Sequence, residues 1–162
     1  PCSFCGVLRR RALNLAAKDV EADRLATGHT LDDMAQTTLL NILRGDIKKL
    51  DSYHPGGESV NGFVRRIKPL CEIPERETTF YAYLNNIEFQ SIPCPFSDES
   101  MRTEIRRFLN RMELNHPSTL FTIFNGTIRL ASTVETIGQS KKCKFCGEPT
   151  LNETCRVCTI MK

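Results

Sequence analysis

Apolar residues recur along this chain with helical and strand periods, and their phase outlines its elements. From Val7 to about Lys18, Leu8, Ala12 and Leu15 stand at i, i+4 and i+7, which predicts a helix with Arg9, Arg10 and Asn14 elsewhere on its surface. The stretch "DRLATGH" predicts a short buried strand ending at Gly28. "TLDDMAQTTLLNILRGD" predicts a helix with Ala35, Leu39 and Ile42 as its apolar stripe. Thr30 is placed to cap it, Asp33 to close a capping box, and Gly45 to end it in the left-handed conformation. After a polar, glycine-rich loop over 51–62, "FVRRIKPL" reads as a strand stopped near Pro69. Pro74 opens a helix through about Asn86, with Phe80, Leu84 and Ile87 in register. "EFQSIPCPF" is extended, because Pro93 and Pro95 keep Cys94 in non-helical backbone. Met101, Ile105, Phe108 and Met112 predict a further helix over 97–115, and "STLFTIFNGTIRLA", open to either period, is read as helical.

Strands that alternate with helices indicate an α/β domain with a mostly parallel sheet. A polar linker, "STVETIGQSKK", separates it from a small cysteine-rich tail, so domains are expected at 1–135 and 136–162. The length of 162 residues allows one core-bearing domain with such an appendage. Hydrophobic and charged fractions of 40% and 25% are ordinary for a globular protein, and the net charge of +3 is too small to establish a nucleic-acid partner. No apolar run approaches the roughly 20 residues of a membrane span, and no secretory signal is visible. The chain opens on Pro1 and is read as a fragment lacking an N-terminal portion.

The cysteines narrow the chemistry further. Six of the eight stand in C-x-x-C pairs, which in the absence of a secretory signal favour metal or redox chemistry in a reducing, cytoplasmic setting. Cys143, Cys146, Cys155 and Cys158 form two knuckles whose thiolates close a tetrahedral zinc shell with little chain, and so small a module needs the metal to fold. Lys141, Lys142, Lys144, Arg156 and Lys162 make this ribbon basic, compatible with RNA contact and equally with a structural lid. Cys2 and Cys5 fit half of a zinc site, a dithiol redox pair or part of a cluster site. Cys71, after "KPL", reads as a core residue.

In "ATGHTLDDMAQT", Gly28 and His29 close a strand and Asp32 and Asp33 open the next helix, at the edge where open α/β sheets bind ligands. Two accounts of the aspartates stand side by side: a catalytic pair, or helix caps that complement the dipole.

The stretches "CSFCGVLRRRALN", "ATGHTLDDMAQTTLLNILRGD", "RRIKPLCEIPERE", "IPCPF" and "RRFLNRMELNHP" occur in one order, and with the closing cysteine quartet the chain resembles the PP-loop tRNA 2-thiolation proteins, the TtcA/TtuA and cytosolic thiouridylase group. The resemblance implies a Rossmann-like fold of the adenine nucleotide α-hydrolase kind, with a mostly parallel sheet and a C-terminal zinc ribbon. It implies ATP- and Mg2+-dependent adenylation of a tRNA uridine O2, then replacement of AMP by sulfur. Arg9, Gly28 and His29 map onto ATP contacts, Asp33 onto a catalytic acidic residue, and Asp32 onto a magnesium or hydrogen-bond role. Cys2, Cys5 and Cys94 match a trio that holds a [4Fe–4S] cluster with one iron left open. A cysteine-persulfide route without a cluster is the alternative chemistry.

The family's S-G-G-x-D-S phosphate loop is missing from these residues, so the whole protein is expected to be an enzyme and the piece alone inactive. Arg65, Arg66, Lys68, Arg102, Arg106, Arg107 and Arg111 offer a tRNA phosphate track or a solvated surface, and Arg10 and Arg11 lie closer to the reacting centre. A sulfur-donor protein, of ubiquitin-like thiocarboxylate type, and a homodimer are further implications; no membrane partner is expected. The competing non-enzymatic reading is a zinc-ribbon RNA-binding adaptor.

Overall fold

The computed structural model describes residues 2–47, 49, 62–133, 141–150 and 152–161. Most of the expected 51–62 loop and most of the linker lie outside these residues. The elements run α1 (Cys2–Asp19), β1 (Arg24–Ala26), α2 (Leu31–Leu43), β2 (Arg65–Ile67), α3 (Glu75–Leu84), α4 (Met101–Asn115), α5 (Thr119–Ala131), β3 (Lys141–Lys142), β4 (Pro149–Thr150) and α6 (Arg156–Ile160). Among the described residues the protein is mainly helical. Its parallel sheet has two short strands, β1 and β2, with Arg24 opposite Arg65 and Ala26 opposite Ile67. No described helix is long and apolar enough to cross a membrane.

The chain divides into two compact units interleaved in sequence. The first joins Pro1–Ala26, Gly56–Ile67 and Thr136–Lys162; the second joins Thr27–Pro55 and Lys68–Glu135. The tail groups with α1, β1 and β2.

Helix α1 begins at Cys2, five residues before the expected start, and its buried face is not the expected one. Leu8 and Leu15 are 44% and 36% exposed, while Asn14 and Ala17 are 1% and 6% exposed. Asn14 is buried because its Oδ1 accepts the Val64 N–H at 3.0 Å, where β2 is approached. Tertiary contact, not the leucine period, decides which side faces inward.

The second unit is a helical core built on α2, which packs against α4 and α5. Leu31, Met34, Ala35, Cys71, Ile105, Leu109, Leu120 and Phe124 form its centre. Ala35 lies in the expected stripe, but Ile42 is exposed, and the inward positions of α2 also include Thr38 and Asn41. The polarity of Thr38 is accommodated by pairing: the Thr38 and Thr127 hydroxyls lie 3.0 Å apart across α2 and α5. On α4, Ile105 of the expected stripe is buried, but the next buried position is Leu109, while Met101 and Phe108 are half exposed. Helix α3 buries nothing fully; Phe80, Leu84 and Ile87 face outward. The segment "STLFTIFNGTIRLA" is helical, its Leu120, Phe124 and Thr127 buried at helical spacing. Gly45 takes φ +69° after α2, the left-handed exit expected of it.

Candidate functional site

The clearest site is the cysteine quartet of the first unit. Strands β3 and β4 pair antiparallel, Lys141 with Thr150 and Lys142 with Pro149, and carry the first knuckle between them. Gly147, at φ +70°, turns the chain and donates its N–H to the Cys143 carbonyl at 3.0 Å. Cys155 is the N-cap of α6 and Cys158 lies inside it, so the second knuckle is a helix start. The Cys155 N–H donates to Cys143 Sγ at 3.2 Å and the Cys158 N–H to Cys155 Sγ at 3.4 Å. All four sulfurs lie within 4.8 Å of one another, with Cys146 and Cys155 at 3.6 Å. A tetrahedral shell with metal–sulfur bonds of about 2.3 Å requires sulfur pairs about 3.8 Å apart, so the quartet fits one ion such as zinc. Cubane irons each take one thiolate and would hold the sulfurs further apart. Among the described residues, this is the one group of three or more metal-capable side chains within such reach.

Backbone N–H groups, that of Cys155 foremost, hold the Cys143 thiol down to about 6. Hydrogen bonding to Cys146 and then Cys155 pushes Cys158 up to about 12. The ligands must be thiolates to bind metal. Cys143 is ready above about pH 6, whereas Cys158 gives up its proton only as metal arrives. Zinc affinity therefore rises with pH through neutrality and falls steeply below about 6; competition with a chromophoric chelator at pH 5.5 and 8 checks it, and equal affinities would contradict the assignment.

The ribbon is docked on α1. Val7 packs on Cys143, Cys155 and Val157, and Lys18 Nζ meets Glu148 at 3.2 Å. Desolvation lowers the Arg11 pKa, but Cys146, Cys158 and Cys155 together raise it, which marks a cationic neighbour of the quartet. Sequence reasoning placed Arg11 beside the N-terminal pair; the spacing of Val7, Arg11 and Asn14 on one helical face was the available signal for the docking. The same helix carries Cys2 and Cys5 in its first turns, both exposed. Arg9, mapped to an ATP contact, stands one turn from Cys5, its Nη2 3.6 Å from the sulfur.

The other expected residues lie in the second unit. Gly28 and His29 are exposed between β1 and α2, and His29 Nδ1 is 2.9 Å from Thr27 Oγ1. A Cβ at Gly28 would meet nothing within 4 Å, so Gly28→Ala is tolerated by the fold itself. Asp33 accepts the Thr30 N–H at 3.1 Å, completing the expected capping box, and lies 3.8 Å from Arg102. Asp32 accepts the Glu75 N–H at 2.7 Å and so caps α3, whose own N-cap is Pro74 and has no side-chain oxygen. Sequence spacing could not reveal this bond, since the partners are 43 positions apart. Asp32→Ala and Asp33→Ala each cost about 1 kcal/mol of stability by loss of the cap. A loss of activity in the whole protein beyond what Tm explains would add a catalytic role; a loss that tracks Tm would remove it.

Cys94 is exposed in irregular backbone, its carbonyl accepting the Ser97 N–H at 2.9 Å. The expected trio is thus divided, Cys2 and Cys5 in the first unit and Cys94 in the second. Its three thiols are exposed, unlike Cys71, which is buried in the core. Several of the arginines read as an RNA track are committed elsewhere: Arg102 to Gln36 and Thr37, Arg106 to Glu75 at 2.7 Å, and Arg107 to Glu104.

No protein-family model matches the chain. It is 41% identical over 159 residues to a probable sulfurtransferase of Methanocaldococcus jannaschii, covering 98% of this chain and 46% of that protein. It is 36% identical over 174 residues to the tRNA 2-thiolation protein NcsA of Haloferax volcanii, covering 99% and 54%. Against cytoplasmic tRNA 2-thiolation protein 1 of Schizosaccharomyces pombe the identity is 34% over 165 residues, with 99% and 49% covered. Among solved structures, the U34-tRNA thiolase NcsA from Methanococcus maripaludis with its [4Fe-4S] cluster aligns at TM-score 0.83 and 40% identity, over 98% of this chain and 51% of that one. The chain spans about half the length of the curated relatives it matches.

Proposed function

Because the chain belongs to the tRNA 2-thiolation family, we propose that the whole protein is a tRNA uridine 2-sulfurtransferase. The supporting observation is the likeness at 40% identity and TM-score 0.83 to a tRNA thiolase, over 98% of the chain. ATP adenylates the uridine O2 with magnesium, and sulfur then takes the place of AMP at C2. Arg9, Gly28 and His29 bind the nucleotide, Asp33 serves catalysis, and Asp32 assists through magnesium or its hydrogen bond.

Cys2, Cys5 and Cys94 are the residues that would hold a [4Fe–4S] cluster. Held by these three thiolates, such a cluster would supply a site for the sulfur to be transferred. The quartet Cys143, Cys146, Cys155 and Cys158 holds zinc. The chain order β1–α2–β2, with parallel pairing of its strands, is one βαβ unit and supports a Rossmann-like sheet in the whole protein. The location is cytoplasmic, as in the name of a fungal relative. A thiocarboxylate-bearing donor protein and a homodimer complete the reading.

The whole protein, purified without oxygen, is to be assayed for iron, acid-labile sulfide and zinc. Unmodified tRNA, ATP and a sulfide source are then supplied and nucleosides read by mass spectrometry. Iron with sulfide and 2-thiouridine is the expected result. Zinc alone with no thiolated product would leave the RNA-binding adaptor, and thiolation without iron would leave the persulfide route.

A further inference from the structure

Within the first unit, a cavity of about 290 Å3 opens where α1, β2 and the ribbon meet, bordered by Arg10, Asn14, Phe63, Arg66, Glu148 and Arg156 among others. Its electrostatics are one-sided. Glu148, the acidic residue of the described lining, is already paired with Lys18. Arg11 also borders the cavity, but it is engaged with the ribbon sulfur of Cys158. Arg10 donates to the Gly6 carbonyl at 3.0 Å and Arg66 to the Arg10 carbonyl at 3.3 Å. Those acceptors are neutral and leave both cationic charges standing. Burial, and then the adjacent Arg10 charge, press the Arg66 pKa down, the mark of a cation held where a cation is disfavoured.

Asn14 adds a second, independent sign. Its side chain is 1% exposed, Oδ1 is fixed by the Val64 N–H, and Nδ2 has no hydrogen-bond partner. Guanidinium and amide N–H groups are donors only, so the lining asks for an anion rich in acceptors. Three guanidiniums from separate elements exceed what the two oxygens of one carboxylate can use, and they match a tetrahedral phosphate. The volume lies at the small end of ligand pockets, enough for a phosphate with its neighbouring sugar. Phe63, 38% exposed, offers an apolar face beside it.

We propose that this cavity is a phosphate-binding pocket formed by Arg10, Arg66 and Arg156, and that it seats a backbone phosphate of the RNA substrate. The RNA assignment rests on the sulfurtransferase reading; phosphate binding does not. The test uses the full chain loaded with zinc, wild type against Arg66→Gln and Arg156→Gln. The probes are an unmodified tRNA transcript over 50–200 mM salt, about the range in which phosphate contacts dominate affinity, together with inorganic phosphate and ATP.

Each variant is expected to lose about tenfold in tRNA affinity, the loss of one charge-assisted contact, and about one from the slope of log K against log salt. Arg66→Lys restores that slope but only part of the affinity, because it keeps charge and loses the fork. Lost affinity for phosphate or ATP with unchanged tRNA binding keeps the pocket and makes a free phosphate its ligand. Unchanged affinity of both variants for all three probes overturns it. Arg156 is exposed, so its variant stays informative even if Arg66→Gln lowers Tm. In the whole protein, tRNA binding that the variants weaken but that yields no 2-thiouridine would defeat the sulfurtransferase reading alone. Normal thiolation with unaltered binding in both variants would defeat the pocket alone.

Discussion

Substituting Cys94 by alanine in the whole protein is expected to reduce 2-thiouridine formation by more than about 100-fold, since loss of a ligand exceeds the 10–100-fold typical of losing a ligand's supporting contact. The side chain has no packing role that could account for such a loss. It is exposed, flanked by Pro93 and Pro95, and belongs to no buried cluster among the described residues. Tm and zinc content should therefore stay at wild-type values. The iron and acid-labile sulfide content is expected to fall with the activity. Cys71→Ala is the contrasting control: burial pushes that thiol up, it lies in the core, and its replacement acts on stability while the surviving folded fraction keeps its activity. Thiolation persisting at near wild-type rate in Cys94→Ala would remove Cys94 from the site and with it the three-thiolate arrangement.

The second large effect is expected on removing the ribbon's metal, by chelation or by Cys155→Ser. Structural zinc contributes on the order of 10–16 kcal/mol to folding in small modules. The described ribbon has two-residue strands, a five-residue helix, and Val157 as its one buried aliphatic side chain. Without metal it has too little apolar area to fold. The loss should spread to α1, because Val7 packs on the ribbon's buried cluster and Lys18 pairs with Glu148. Amide hydrogen exchange reads both events, with protection lost across 141–161 and reduced on α1 from Val7 to Lys18. The helices of the second unit serve as the reference. Unchanged exchange on α1 after the ribbon has lost its protection would show that the two are not coupled.

How much of this was legible beforehand follows from the range of the forces involved. Local rules were sufficient for the starts and ends of several elements. Thr30, Asp33 and Gly45 frame α2 through bonds and dihedrals that span a few residues, and they do so here as their types dictate. The metal quartet is legible for the same reason: two C-x-x-C turns bring sulfurs together by local geometry, and a short hairpin holds the first of them. Burial was not legible in this way. The leucines of α1 and Phe80 and Leu84 of α3 have the right period yet face outward, because which stripe is covered depends on partners far along the chain.

The polar residues show the same division most sharply. Residue chemistry made Asp32 a helix-start carboxylate, but only the fold passed its oxygen to the first amide of α3. Asn14 reads as a surface residue, because amide groups normally stay in water, and Arg11 reads as a contact near the reacting centre beside Cys2 and Cys5. Tertiary structure set Arg11 beside the ribbon cysteines and supplied a strand amide for Asn14. The sequence by itself determined the donor atoms, the caps and the family to which the chain belongs. The tertiary structure decided which donors meet, since bonds between groups dozens of positions apart form only when packing has brought the backbone segments together.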